Sequence, residues 1–97
     1  MAYCYILYSE KLNRFYVGAT QETVAERLLK HNNTGYGSNR YTAKANDWEV
    51  YLSIRAEDYA HAIRIEQKIK SKKSAKYKRD LLKYPELLLK LITEMKD

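Results

Sequence analysis

The first twenty residues contain two strand-like runs joined by a polar turn, and this pattern constrains the fold more than any other feature of the chain. Residues 3–8, YCYILY, are aromatic and β-branched, a composition typical of strands. SEKLN follows as a turn, and residues 14–20, RFYVGAT, form the second run. Gly18 lies inside this second run, where glycine indicates backbone freedom or the close approach of another group. We therefore predict an N-terminal β-hairpin.

Helical patterns and one further strand follow the hairpin. The apolar positions of TVAERLLKH, residues 23–31, are spaced three to four apart, as in an amphipathic helix that Thr20 or Thr23 can cap. Residues 32–46 are dense in Asn, Gly, Ser and Thr and predict an exposed, mobile loop. Residues 48–54, WEVYLSI, alternate well enough for a third strand.

The remainder of the chain is predicted to be helical. Residues 58–71 have the composition and capping of a helix. Its apolar stripe is predicted to consist of Tyr59, Ala62, Ile63 and Ile69. Residues 70–83 continue as a basic helical segment, and Pro85 then breaks the chain or starts a last helix that packs on the sheet. This order predicts an α/β chain of the α+β type, with a small three-stranded antiparallel sheet flanked by helices.

The formal net charge of +6 is concentrated in one segment. Residues 64–83 carry nine Lys or Arg against two Asp or Glu, whereas residues 1–63 carry seven of each. A positive field confined to one region favours phosphate polyanions and salt-dependent binding. The alternative is an ordinary solvated helix face.

Length and cysteine content narrow the class of protein. A chain of 97 residues has room for one domain with a modest core. Cys4 is the only cysteine, so neither an intramolecular disulfide nor a four-cysteine zinc site can form. The N-terminus resembles no secretory leader, and no apolar run approaches the roughly twenty residues needed to cross a bilayer. We expect a soluble, cytoplasmic protein without membrane contacts.

Glu66 is a candidate metal ligand because helical spacing places its carboxylate on the predicted apolar stripe. A lone carboxylate facing a core is costly unless it is paired or bound to a cation. The alternative is a salt bridge to Arg64, Lys68 or Lys70. Spacing does not distinguish these two environments.

Four further residues are candidates for phosphate chemistry. Arg27 and His31 lie one helical turn apart on a shared face, where a guanidinium can brace a phosphate and an imidazole can take a proton. Alternatively, Arg27 pairs with a nearby acid such as Glu22 or Glu26. Tyr5 and Tyr16 lie on the two hairpin strands, and both phenols can project from one face.

In this order, the candidate residues resemble those of the GIY-YIG nucleases, in particular small stand-alone bacterial members. Tyr16-Val17-Gly18 matches the second motif of that family closely, and Arg27 and His31 follow at the family spacing. Tyr3-Cys4-Tyr5 keeps the last tyrosine of the first motif. Glu66, in AIRIE, falls where the family places its metal-binding glutamate. The resemblance covers about residues 3–73 and leaves residues 74–97 as a helical extension of one domain.

The resemblance implies an endonuclease that hydrolyses DNA phosphodiester bonds with one divalent cation, Mg²⁺ or Mn²⁺, held mainly by Glu66. Tyr16, or His31 acting with it, would take a proton from the attacking water. Tyr5 would orient that water or the scissile phosphate, and Arg27 would offset charge that develops on the phosphate oxygens. The choice between Tyr16 and His31 as the base stays open.

In such a nuclease, the basic segment would contact DNA phosphates, because phosphate contacts position a duplex without reading its bases. The predicted nucleic-acid contacts are Arg40, Tyr41, Lys68, Lys70, Lys72, Lys73, Lys76, Lys78 and Arg79. We identify no base-reading motif, so we expect selectivity for DNA structure, such as flaps or branches, rather than for sequence. Contacts to phosphate do not distinguish DNA from RNA, and the resemblance suggests a role in DNA repair or recombination.

Two alternatives belong to other classes of function. Many family members have an asparagine shortly after the glutamate, but this chain has no Asn beyond Asn46, and Ala19 and Thr20 stand where some members have a lysine. These departures favour a catalytically weak nucleic-acid-binding module that uses residues 64–83. A protein interaction domain with incidental basicity is the other alternative. Targeting could come from a protein partner or from a homodimer formed through the C-terminal leucines, which are Leu87, Leu88 and Leu91.

Overall fold

The computed structural model describes residues 2–32 and 45–96 of the chain, and within them it contains three strands and four helices. In chain order they are β1 (Ala2–Ser9), β2 (Arg14–Thr20), α1 (Val24–Asn32), β3 (Glu49–Ala56), α2 (Tyr59–Lys72), α3 (Ala75–Lys83) and α4 (Pro85–Glu94). The strands form one antiparallel sheet in the order β2-β1-β3. The predicted α+β fold with a three-stranded antiparallel sheet flanked by helices is confirmed.

The predicted hairpin is the β1–β2 pair, whose register runs from Tyr3 opposite Thr20 to Ser9 opposite Arg14. β3 pairs with the other side of β1, and a bulge interrupts this ladder. Ile6 lies opposite Leu52 and Leu7 opposite Val50, so Tyr51 is the extra residue. A bulge re-aims side chains locally, and here it brings Tyr51 to the face that α2 covers.

The central strand β1 is buried on both faces because helices cover both sides of the sheet. Cys4 and Ile6 pack with Ile65 and Ile69 of α2 on one face. Tyr5 and Leu7 point to the other face. There they pack against Val24 of α1 and against Trp48, which precedes β3. Successive strand residues alternate in direction, so an almost continuous apolar run is what a doubly covered strand requires.

The predicted apolar stripe of α2 was wrong in part. Ala62 and Ile69 are buried, but Tyr59 is 41% exposed, and the buried face also contains His61 and Ile65. Burial of His61 is tolerated because both ring nitrogens are bonded. Its Nδ1 accepts the backbone N–H of Glu57 at 3.1 Å, so Nε2 carries the proton and donates to the carbonyl of Ile92 at 2.9 Å.

The basic segment is not one continuous helix, contrary to the expectation for residues 70–83. Lys73 adopts a left-handed conformation with φ 49°, which ends α2. Ser74 then caps α3, since its hydroxyl accepts the backbone N–H of Tyr77 at 3.1 Å. This break redirects the chain, so the basic residues of α2 and α3 lie on different elements.

The last helix, α4, begins at Pro85, as predicted, and it packs on the core cluster beside α3. Leu91 is buried, and Leu87 and Leu88 are partly buried against the same cluster. Burial of Leu91 removes it from any dimer surface, but Leu87 and Leu88 are only partly buried, so dimerisation through α4 stays a prediction. Arg64 of α2 donates from Nε to the carbonyl of Met95 at 2.7 Å and holds the C-terminal end of α4. None of the helices described within residues 2–32 and 45–96 combines the length and apolarity needed to cross a membrane.

Candidate active site

Four of the predicted site residues meet at one corner of the sheet, on the face that α1 covers. The ring centroids of Tyr5 and Tyr16 lie 6.5 Å apart. His31, at the end of α1, lies 5.9 Å from Tyr5 and 4.9 Å from Tyr16 between ring centroids. Arg27 reaches the same corner from one turn earlier in the helix. Two strands and one helix thus converge on a single cluster.

The hydroxyl of Tyr5 is the centre of this cluster. Arg27 donates to it from Nε at 3.4 Å, and the Nε2 atom of His31 lies 3.0 Å away. A guanidinium can only donate, so the Tyr5 oxygen accepts from Arg27 and keeps its own proton available for His31. In the imidazole tautomer protonated at Nδ1, Tyr5 donates to Nε2, and the three groups form one chain of hydrogen bonds.

Burial shifts the pKa values of the groups in this hydrogen-bonded cluster and so determines their charges. Desolvation raises the pKa of Tyr5, although the hydrogen bond from Arg27 acts in the opposite direction. Desolvation, together with the positive charge of Arg27, lowers the pKa of His31 to about 4. At neutral pH the site therefore holds a protonated phenol, a neutral imidazole and a charged guanidinium. The neutral imidazole carries one proton and has one nitrogen that can accept another.

The alternative partners of Arg27 are engaged elsewhere. Glu26 forms a reciprocal cap with Thr23: the Thr23 hydroxyl accepts the Glu26 N–H at 3.1 Å, and Glu26 Oε1 accepts the Thr23 N–H at 3.2 Å. Glu22 pairs with Lys30 at 2.8 Å. Arg27 is thus directed at Tyr5 rather than at either acid.

Gly18 makes room for Tyr5 across the hairpin. The two residues are paired in the β1–β2 register. A β-carbon on Gly18 would lie 2.5 Å from the Tyr5 hydroxyl oxygen and 2.6 Å from Cζ. The glycine of the second motif is therefore explained by close approach, one of the two reasons that the sequence suggested.

Asn32 fixes the end of α1 against the start of β3. Its side-chain amide donates to the carbonyl of Trp48 at 2.9 Å and accepts the Trp48 N–H at 2.7 Å. Trp48 in turn packs edge-on against Tyr16, with ring centroids 6.4 Å apart. Sequence reasoning missed both supporting residues. The sequence features that mark them are an asparagine at the predicted helix end and a lone tryptophan at the start of the predicted third strand.

Glu66 lies on α2 with its side chain 15% exposed, and it pairs with Lys70 at 3.1 Å. One of the predicted salt-bridge alternatives is therefore what the structure contains. Burial is the main cause of the raised pKa values of Cys4 and Tyr5, and the negative charge of Glu66 adds to both shifts. The Glu66 carboxylate is therefore close enough to β1 to influence these two residues electrostatically. Within the described ranges, no group of three or more His, Cys, Asp or Glu residues could hold a metal ion.

Comparison with known proteins decides the family. A family model for the GIY-YIG catalytic domain matches residues 1–78, most of the 97-residue chain. The chain belongs to the GIY-YIG family. Searches of curated proteins and of solved structures found no match. Membership supports a nuclease-type function in general, with DNA as the partner on which GIY-YIG nuclease domains act.

In this GIY-YIG domain, the two strand motifs face each other across the hairpin. Tyr5, the last residue of the first motif, pairs with Gly18, the last residue of the second. The family motifs thus correspond to one contiguous structural unit.

The predicted nucleic-acid contacts are spread over several surfaces of the GIY-YIG domain. Lys70 is paired with Glu66, and Lys76 with Asp80 at 2.8 Å. Lys72 lies over the ring of Tyr77, 5.4 Å from its centroid, and Lys68 is half-buried. Three others line a single groove: Lys73, Lys78 and Arg79. Arg40 and Tyr41 lie outside the described residues.

Proposed function

We propose that this GIY-YIG domain is a metal-dependent endonuclease that hydrolyses DNA phosphodiester bonds, with selectivity for DNA structure rather than sequence. The observation that carries the proposal is the convergence of Tyr5, Tyr16, Arg27 and His31 on one corner of the sheet. A cationic donor, two phenols and a neutral imidazole are the groups that phosphoryl chemistry uses to hold a phosphate and move a proton.

The burial of each group suggests its role. Tyr5 is fully buried and His31 is 1% exposed, whereas Tyr16 is only partly buried. We therefore assign the contact with the attacking water to Tyr16. His31 takes the proton onward at Nε2, for which the Tyr5 hydroxyl must turn away from that nitrogen. Tyr5 orients Arg27 and His31 through its hydroxyl. Arg27 offsets the charge that develops on the phosphate oxygens.

Glu66 is the residue that would hold a divalent cation, Mg²⁺ or Mn²⁺. Magnesium keeps several waters and binds proteins through one or two carboxylates plus substrate phosphate, so a single glutamate fits it. The partner of Glu66, Lys70, has a side chain that is 54% exposed and can move away. A cation bound there supplies Lewis-acid stabilisation of the phosphate.

Nicking of supercoiled plasmid, and cleavage of labelled flap, branched and linear duplex DNA, test the proposal with and without Mg²⁺. We expect Mg²⁺-dependent cleavage that is fastest on flap or branched DNA and is lost in Glu66→Gln. Arg27→Ala is expected to slow cleavage by about 10²- to 10³-fold, the usual cost of removing a positioned donor. Glu10→Gln, which removes an exposed carboxylate from the hairpin turn, is the matched control and should cleave normally.

A catalytically weak nucleic-acid-binding module is the second candidate. Its support is the ion pair between Glu66 and Lys70, which occupies the carboxylate that a metal would need. This candidate predicts salt-dependent DNA binding that Glu66→Gln leaves equal or strengthens, with no cleavage by either protein. Retention of cleavage by Glu66→Gln would contradict the metal-nuclease assignment itself.

A further inference from the structure

A cavity lies away from the tyrosine cluster, at the turn end of the hairpin. It has a volume of about 690 Å³ and is bounded by β1, β2, β3 and the start of α3. Phe15 and Tyr16 are adjacent on the edge strand β2 but pack into different faces of the sheet. The cavity and the tyrosine cluster therefore lie on opposite faces of the sheet, and each includes a residue of the edge strand β2.

Three aromatic rings form the floor of this cavity. Phe15 contacts Tyr8 and Tyr51, with ring centroids 5.0 Å apart in each case. Tyr8 is held in place because its hydroxyl donates to Asn13 at 2.6 Å, and Tyr51 is brought to this face by the β3 bulge. All three rings are partly exposed. Their mutual contacts make the floor a preformed apolar surface.

Four cations surround the aromatic floor: Arg14, Lys73, Lys78 and Arg79. Lys78 lies over the Phe15 ring, 6.0 Å from its centroid. Among the described residues that line the cavity none is acidic, and none of the four cations forms an ion pair within the described ranges. Crowding like charges without a counter-charge is unfavourable, so this rim is suited to an anionic ligand.

We propose that this cavity, the aromatic groove, binds one unpaired nucleotide of a single-stranded nucleic acid. Because the three rings are inclined to one another by 51° to 78°, its base stacks on one of them and contacts the edges of the others. Its flanking phosphates contact the four cations. Aromatic platforms inside cationic grooves bind single strands in this way without reading sequence. The proposal shares with the nuclease assignment only the premise that the ligand is a nucleic acid.

The position of the aromatic groove favours DNA with a single-stranded branch over continuous duplex DNA. A strand bound there continues along the edge of β2, past Phe15 toward Tyr16. Phe15 and Tyr16 point to opposite faces of the sheet, so such a strand would cross the edge of β2 between them. DNA with a single-stranded branch then has a contact that a continuous duplex lacks.

Binding of two labelled oligomers tests the groove. The measurement is made in EDTA, which removes divalent cations and so prevents metal-dependent cleavage of the oligomers. One is oligo-dT of about eight nucleotides, and the other is an abasic oligomer with the same number of phosphates. We expect the abasic oligomer to bind about fivefold or more weakly, because it cannot stack. Equal affinity of the wild-type protein for the two oligomers overturns the proposal.

Variants separate stacking from charge. Phe15→Leu keeps an apolar side chain but removes the ring, and it should reduce the difference between the oligomers to about twofold or less. Tyr84→Leu is the matched control, since Tyr84 is an exposed ring with Lys83 5.4 Å from its centroid but lies outside the groove. Arg79→Gln should weaken binding of both oligomers equally, whereas Lys90→Gln, on α4, should weaken neither.

A direct signature of stacking needs no variant. An oligomer containing 2-aminopurine should lose fluorescence on binding if its base stacks on the rings, and unchanged fluorescence of the bound oligomer would contradict the proposal. Failure of the groove proposal and failure of the nuclease assignment give different results. Base-dependent binding that requires Phe15, without any cleavage, supports the groove alone, and Glu66-dependent cleavage with equal binding of the two oligomers supports the nuclease alone.

Discussion

Tyr5 and Gly18 face each other across the hairpin so closely that the space of a missing β-carbon is filled by the phenol of Tyr5. This contact places the Tyr5 hydroxyl within reach of both Arg27 and His31. The geometry of the candidate active site thus depends on the absence of a side chain on β2.

Gly18→Ala is therefore expected to displace Tyr5. A β-carbon 2.5 Å from the hydroxyl oxygen forces a shift, and overpacking of this kind costs about 1–3 kcal/mol of unfolding free energy. Urea unfolding measures the loss, and plasmid nicking should fall by at least about tenfold. Adding Tyr5→Leu, which removes the clashing atoms, should recover part of the stability but none of the activity. A variant as stable as the wild type would contradict the close approach.

His31 should make stability depend on pH between about 4 and 6.5. Burial lowers the pKa of His31 to about 4 in the folded protein, against about 6.5 for a free histidine. Between these values the unfolded chain binds a proton that the folded protein does not, so the unfolding free energy falls as pH decreases, by up to about 3 kcal/mol. Urea unfolding at pH 7, 6 and 5 measures this slope. His31→Gln should flatten it, and an unchanged slope would contradict the assignment.

Lys70 should compete with metal ions for Glu66. Lys70→Gln removes the ion pair, and i,i+4 pairs of this kind contribute about 0.3–0.5 kcal/mol, so affinity for Mn²⁺ should rise about twofold. Paramagnetic broadening of the protein's resonances on titration with Mn²⁺ measures binding without relying on cleavage. Lys76→Gln removes the corresponding pair with Asp80 on α3 and is the control. Equal Mn²⁺ affinity in all three proteins would show that the pair and the metal do not compete.

Asn32→Ala should loosen the junction between α1 and β3. The side chain satisfies both backbone groups of the buried Trp48, and leaving buried polar groups unpaired costs about 1–3 kcal/mol each. Thermal unfolding should show a lower Tm, with a matching loss of protection of the Trp48 amide in hydrogen exchange. Asn46→Ala, which changes an exposed asparagine two residues before Trp48, should leave both measurements unchanged.

Several elements could be predicted from local pattern because their causes are local. The hairpin follows from alternating strand composition around a polar turn, and α1 begins where Thr23 and Glu26 cap each other. A spacing of four residues is enough to place Arg27 and His31 on one helical face, and the fold brings both of them to Tyr5.

Other features could not be predicted because their causes lie far away in the chain. His61 can be buried because the carbonyl of Ile92, thirty-one residues away, accepts a hydrogen bond from its ring N–H. The break at Lys73 is a local exception, because it requires a left-handed conformation that a lysine rarely adopts. The aromatic groove requires a bulge that aims Tyr51 toward Phe15, and no sequence pattern marks it.

The amino-acid sequence by itself determined the order of the three strands and of α1 among them, the concentration of positive charge in residues 64–83 and the candidate residues of the GIY-YIG motifs. Only the tertiary structure decided which groups share a hydrogen bond, that Glu66 pairs with Lys70, and that three of the predicted basic contacts converge on one groove. The physical reason is that period and capping act over a few residues, whereas pairing and burial depend on which distant side chains the packed sheet brings within a few ångströms.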